Sequence, residues 1–263
     1  MPAPSDVVRA HWPEYLMEAA GLGLFMVSAA VVTALLEYPH SPLYQLLPDP
    51  FIRRALIGMA MGLTAIGIIY SPWGKRSGAH LNPAVTVTFF RLGKIQGLDA
   101  FCYVLAQFVG GLIGLLVAAI AIGMAIEHPA VNYVVTVPGF GGAGVAFAAE
   151  AGISFGLMLV VLIASNQTTL NAWTGVFAGV LVAGYITVEA PLSGMSMNPA
   201  RSFASALSAN LWTDFWIYLT APLSGMLLAA ECYVRFPGAR RVLCAKLYHD
   251  NAARCIFCRS GMA

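Results

Sequence analysis

One ten-residue frame, written twice into a very apolar chain, limits the possible folds more than any other feature. The first copy reads Ser77-Gly78-Ala79-His80-Leu81-Asn82-Pro83-Ala84-Val85-Thr86, and the second Ser193-Gly194-Met195-Ser196-Met197-Asn198-Pro199-Ala200-Arg201-Ser202. Asn is a strong N-cap because its side-chain oxygen accepts an orphan amide N–H of the first turn. Pro suits the next position because its missing N–H would have no partner there. Both copies therefore predict an abrupt helix start. Roughly two turns of helix-compatible sequence follow, before Gly93-Lys94 in one case and Ser208-Ala209-Asn210 in the other.

The setting of these half-helices follows from composition: 59% of residues are hydrophobic, 10% are charged and the mean hydropathy is +0.76. This is the composition of a membrane protein. Charge-poor stretches of about 20 residues, enough to cross a bilayer, fall at 14–36, 52–70, 99–126, 143–164, 172–190 and 212–234. The segments after Asn82 and Asn198 are apolar but too short to span, so they read as re-entrant helices buried in protein. No cleavable signal peptide is expected, because Glu14 and Glu18 interrupt the amino-terminal region and no cleavage-like site follows.

Lys and Arg set the expected orientation through the positive-inside rule. Arg9 precedes the first span; Arg235, Arg240, Arg241, Lys246, Arg254 and Arg259 follow the last. Lys75, Arg76, Arg91 and Lys94 follow span two, and the linker 127–142 has neither Lys nor Arg. Both termini thus read as cytoplasmic in a multi-pass protein of the plasma, or cell inner, membrane; Arg53 and Arg54 are the exceptions. The net charge of +2 is spread over these loops and the tail, so it speaks for topology and not for nucleic acid.

The repeat extends beyond the motifs. Glu18 in span one and Glu150 in span four sit in similar apolar frames. Gln107-Phe108-Val109-Gly110 and Pro222-Leu223-Ser224-Gly225 follow their motifs at offsets that differ by one residue. Three spans per copy make the two repeats, about 14–126 and 143–234, inverted relative to each other. Inverted repeats with broken helices place a site near the bilayer midplane.

The paired Asn-Pro-Ala motifs, Arg201 directly after the second, and a Glu in spans one and four resemble the aquaporin and glycerol-facilitator channels, the major intrinsic protein family, over about residues 14–234. The resemblance implies an all-α membrane protein in which six transmembrane helices form a right-handed bundle around two half-helices meeting tip to tip. It also implies a homotetramer with one pore per subunit. The channel domain would occupy 1–234, followed by a basic, Cys-containing cytoplasmic tail, 235–263. Asn82, Pro83, Ala84, Asn198, Pro199 and Ala200 would form the pore centre, and Glu18 and Glu150 would hold the re-entrant backbone. His80 reads as a support of the first re-entrant loop more than as a pH gate.

The family pattern puts an exterior filter at Arg201, at Met195 and, twelve residues before Asn198, at Ile186. The span-two position falls on Met61 or Gly62, with Met61 preferred, because Ser71-Pro72-Trp73-Gly74-Lys75-Arg76 carries an extra residue. Strict water channels of the family place an aromatic and a His in this filter, and glycerol channels pair aromatics with Gly; this chain does neither. Ser202 and Ala206 stand where glycerol channels tend to have Asp and a basic residue. The resulting expectation is a passive channel for water and small uncharged solutes that excludes protons and ions. Two alternatives stay open: a facilitator mainly for glycerol, urea, ammonia or a metalloid acid, and, more remotely, an ion-coupled secondary transporter.

No nucleophile, base and orienting group cluster at readable spacing, so no enzyme and no cofactor are expected. In the tail, Cys244, His249, Cys255 and Cys258 read as Cys-x4-His-x5-Cys-x2-Cys, four ligands able to close a tetrahedral zinc site. The short spacing from Cys244 to Cys255 is unusual for a zinc module, and a reducing cytoplasm tolerates free thiols. The sequence reading therefore assigns no metal. Cys102 and Cys232 read as small buried hydrophobes, with no disulfide framework.

Overall fold

Proline opens four of the eight longer helices in the computed structural model, which describes residues 3–236 and 241–258. These helices are α1 (Pro4–Glu37), α2 (Pro50–Tyr70), α3 (Pro83–Arg91), α4 (Gly97–Ile122), α5 (Gly142–Ser165), α6 (Thr174–Val188), α7 (Pro199–Ala209) and α8 (Phe215–Arg235). There is no strand among the described residues. Six of the eight, all but α3 and α7, are long and apolar enough to cross a membrane, α6 with the short turn before it. Arg240 and Arg259, counted above for orientation, lie outside the described residues.

Helix ends differ from the sequence reading by a few residues in several places, and two of the differences have a visible cause. Helix α1 begins at Pro4, well before residue 14, because the charge that set the expected edge is paired: buried Glu14 accepts from Arg76 Nε at 2.9 Å. Helix α6 is shorter than the apolar stretch because its first residues form a turn, Asn171–Trp173.

The inverted repeat is visible in the packing. Helix α1 packs on α4 as α8 packs on α5, and α2 crosses α6 at the centre. A Cβ on Gly110 would run into the backbone of Ala19, and one on Gly225 into Ala151. These are equivalent positions, since Ala19 follows Glu18 and Ala151 follows Glu150. At the central crossing Gly62 lies on the Gly179 carbonyl and Gly58 on that of Ala183. Close backbone approach replaces side-chain interdigitation in this membrane-type helix packing. Half-helix α3 contacts α8, and half-helix α7 contacts α4, so each repeat lends its half-helix to the other. The outer face of α4, with Leu105, Val109, Ile113, Leu116, Val117 and Ile120 exposed, forms an apolar flank.

Residues 241–258 contain neither helix nor strand, yet they pack against the channel body, which the sequence reading did not anticipate. The Leu247 N–H donates to Gly78 O (3.1 Å), and the Leu243 N–H donates to Asn166 Oδ1 (2.7 Å). The Arg254 guanidinium donates to Ala10 O (3.0 Å), so the start of α1 and the tail share one face of the molecule.

Candidate functional site: a pore between two half-helices

Each half-helix is started by the cap its sequence foretells. The Asn82 Oδ1 accepts the Ala84 N–H at 2.8 Å; the Asn198 Oδ1 accepts those of Ala200 (3.1 Å) and Arg201 (3.3 Å). The turn before each cap repeats one backbone pattern: Gly78 (φ 99°), Ala79 (54°) and Leu81 (50°) correspond to Gly194 (81°), Met195 (51°) and Met197 (55°). Left-handed conformations at non-Gly residues cost of order 1–3 kcal/mol each and persist only where the surroundings over-determine them.

Here one buried carboxylate over-determines each turn. Glu18 Oε1 accepts the Ser77 hydroxyl (2.8 Å) and the His80 N–H (3.0 Å), while Oε2 accepts the Leu81 N–H (2.6 Å) and the Gln107 amide (2.9 Å). Glu150 does the same in the second repeat, accepting Ser193 Oγ (2.8 Å), the Ser196 N–H (2.6 Å) and the Met197 N–H (2.7 Å). Tyr103 and Tyr218 complete the symmetry by donating to Ser77 O (2.7 Å) and Ser193 O (2.6 Å). Sequence reasoning missed these two tyrosines as a pair. The signal was present, since Tyr103 lies four residues before Gln107 and Tyr218 four before Pro222.

The two caps also tie the repeats together. Asn82 Nδ2 donates to Met197 O (2.7 Å) and Asn198 Nδ2 to Leu81 O (2.8 Å), so the N-termini of α3 and α7 face one another across a reciprocal pair of bonds. A primary amide has two N–H donors, so each Asn keeps one beyond this cross-link.

A cavity of about 490 Å³ passes this junction. Glu37, Pro50 and Arg54 line it at one mouth, together with Val131, Val134 and Val135 of the 127–142 linker; Leu247 of the tail lines it at the other. Arg201, Met195, Ile186 and Met61 all reach it, as do Asn82, Asn198 and His80. Gly62, the alternative to Met61, instead faces Gly179. Pro83, Ala84, Pro199 and Ala200 are buried behind the caps. The wall is otherwise mostly apolar, with Leu22, Phe25, Val85, Leu157, Val161 and Val182 among its members. The Arg201 Nη1 has no acceptor among the described residues.

Each mouth carries a polar side chain held by a backbone carbonyl. Arg54 donates to Thr187 O (2.8 Å) at the linker-side mouth, and neighbouring Arg53, outside the lining, pairs with Glu37 (3.2 Å) and the carbonyls of Leu47 and Pro48. Both arginines that stand against the charge rule in the sequence thus have partners within the protein. At the tail-side mouth His80 is buried between Phe89 (5.2 Å) and Phe257 (5.5 Å); its Nε2–H donates to Ala245 O (2.7 Å) and Nδ1 meets Thr86 Oγ1 (3.0 Å).

Six apolar helices around a cavity that two opposed half-helix N-termini meet at mid-length define an integral, multi-pass membrane channel. The chain belongs to the major intrinsic protein family, whose model matches residues 7–233. It is 36% identical over 184 residues to a probable aquaporin of Archaeoglobus fulgidus, covering 67% of this chain and 74% of that one. Aquaporin NIP6-1 of Arabidopsis thaliana is 38% identical over 183 residues (68% and 58%), and glycerol uptake facilitator protein-like 6 of Lactiplantibacillus plantarum 36% over 188 (67% and 82%). Among solved structures, the aquaglyceroporin of Plasmodium falciparum superposes with a TM-score of 0.71 at 20% identity, over 87% of this chain and 97% of that one, which supports the fold.

Proposed function

We propose that the chain conducts water and small uncharged solutes down their gradients, one pore per subunit of a homotetramer, with both termini cytoplasmic in the plasma or cell inner membrane. The observation that carries this reading is the junction of the two half-helices: paired Asn donors and two helix N-termini in an otherwise apolar tube. Each N-terminus presents roughly half a positive charge. Water crossing the junction turns its oxygen to both amides, which breaks the hydrogen-bonded chain that protons would follow, and the same field repels cations. Arg201 adds fixed donors and a second positive barrier. An ion-coupled transporter would need a chain of free intramembrane acids, but Glu18 and Glu150 are consumed by the backbone of the two turns, and Glu189, which has no partner among the described residues, stands alone at the end of a span.

A second reading, a facilitator for a small neutral solute with low water permeability, is favoured by the wall around Arg201. Met61, Ile186 and Met195 are apolar and, for Met, flexible, and they offer no second fixed donor for water. Stopped-flow light scattering on proteoliposomes separates the two. Fast shrinkage in sucrose without reswelling in glycerol or urea identifies a water channel; slow shrinkage with rapid reswelling identifies the facilitator. Arg201→Ala should admit larger solutes and Met195→Gly should shift the solute spectrum. Unchanged permeability to every solute tested would remove both residues from the filter.

A further inference from the structure

We propose that Cys244, His249, Cys255 and Cys258 form a tetrahedral zinc site that pins residues 241–258 across the tail-side mouth of the pore. The candidate ligand atoms of these four residues all lie within 4.8 Å of one another. Zinc binds sulfur at about 2.3 Å and imidazole nitrogen at about 2.0–2.1 Å, so tetrahedral ligands stand about 3.6–3.8 Å apart. Cys244 Sγ lies 3.4 Å from Cys255 Sγ, and Cys258 Sγ lies 3.7 Å from His249 Nε2. The first distance is far beyond the roughly 2.05 Å of a disulfide. Three thiols and an imidazole form a closed donor set of the structural type, with no position left for water.

The spacing that spoke against a zinc module is explained by how the ligands arrive. Cys255 and Cys258 share a turn, Cys244 comes from the segment that runs over the pore mouth, and His249 lies on the bend joining them. A separate observation concerns charge. Lys246 is buried two residues from Cys244, and its ammonium donates to the backbone oxygens of Ala253 (3.1 Å) and Arg254 (2.8 Å), beside Cys255, with no carboxylate bonded to it among the described residues. Three thiolates and a neutral imidazole on a divalent ion carry one net negative charge, which meets the buried cation. Nearby Glu14 is engaged by Arg76 at 2.9 Å and lies 3.9 Å from Arg254. A segment with no helix or strand has few ladder hydrogen bonds to hold it, and a metal cross-link supplies what the backbone lacks. The segment it holds places Leu247 in the pore lining and Phe257 against His80.

The test uses the full-length channel purified in detergent with reductant. Elemental analysis should find about one zinc per chain, lost in Cys255→Ser/Cys258→Ser and reduced in His249→Asn, with all variants eluting as the native protein does. Cobalt(II) added to metal-free protein should give the intense visible bands and thiolate charge-transfer absorption of a tetrahedral site. Zinc content equal in native and doubly substituted protein, cobalt spectra of octahedral type, or a Cys244–Cys255 disulfide in reduced preparations would each overturn the site. For the pinning, trypsin cleavage at Arg241 and Lys246 should accelerate when zinc is chelated; rates that ignore the chelator would overturn it even if zinc binds.

Discussion

At the scale of residues, most buried carboxylates of this protein have assigned partners, and Glu189 departs from that pattern at both of its oxygens. It caps the end of α6, is 5% exposed, and neither carboxylate oxygen has a partner among the described residues. The Ser193 hydroxyl beside it is donated to Glu150. Burial, with Glu150 adding to it, raises the Glu189 pKa to about 7. The folded state therefore disfavours the charged form. The penalty is absent below the unfolded carboxylate value near 4.3, grows as pH rises to about 7, and stays constant above. Glu189→Gln should leave the melting temperature in detergent unchanged near pH 4.5 and raise it by several degrees at pH 8. An equal effect at both pH values would show that charge is not the cause. That Glu189 is starved of partners was not legible in the sequence, which does not show what a side chain at the end of a span will meet.

At the scale of elements, the repeats are held by backbone contact where side chains are absent. Gly114 meets the backbone of Gly23, and Gly110 that of Ala19, so the α1–α4 pair closes only without a Cβ. Overpacking such a contact costs typically 1–3 kcal/mol and more when neither backbone can move. Gly114→Leu should therefore abolish a monodisperse elution peak or lower the melting temperature strongly. Gly152→Leu, at a glycine with no neighbour in the way, should change little. The half-helices, their caps and the inverted order of spans were readable because local chemistry fixes them: Asn and Pro start a helix wherever they stand. Which glycines sit at crossings was not readable, since helices this apolar on every side give no periodicity to aim them.

At the scale of the molecule, the pore has unlike ends. The linker-side mouth is shaped by Arg54 and the 127–142 segment; the tail-side mouth is bordered by the tail through Leu247, which lines the cavity and donates to Gly78 O. Leu247→Ala should raise osmotic permeability per channel above the native value in the same proteoliposome assay, and equal permeability would show that this mouth does not limit flow. The sequence by itself determined the membrane setting, the six spans, the two capped half-helices and their inverted relation, because these rest on composition, spacing and local hydrogen bonding. Only the tertiary structure decided that Met61 and not Gly62 reaches the cavity, that each Asn spends one donor on the opposite repeat, and that four tail ligands converge beside the pore. Those facts depend on residues far apart in sequence, such as Asn82 with Met197 and Gly78 with Leu247, whose meeting is set by packing and leaves no local mark in the chain.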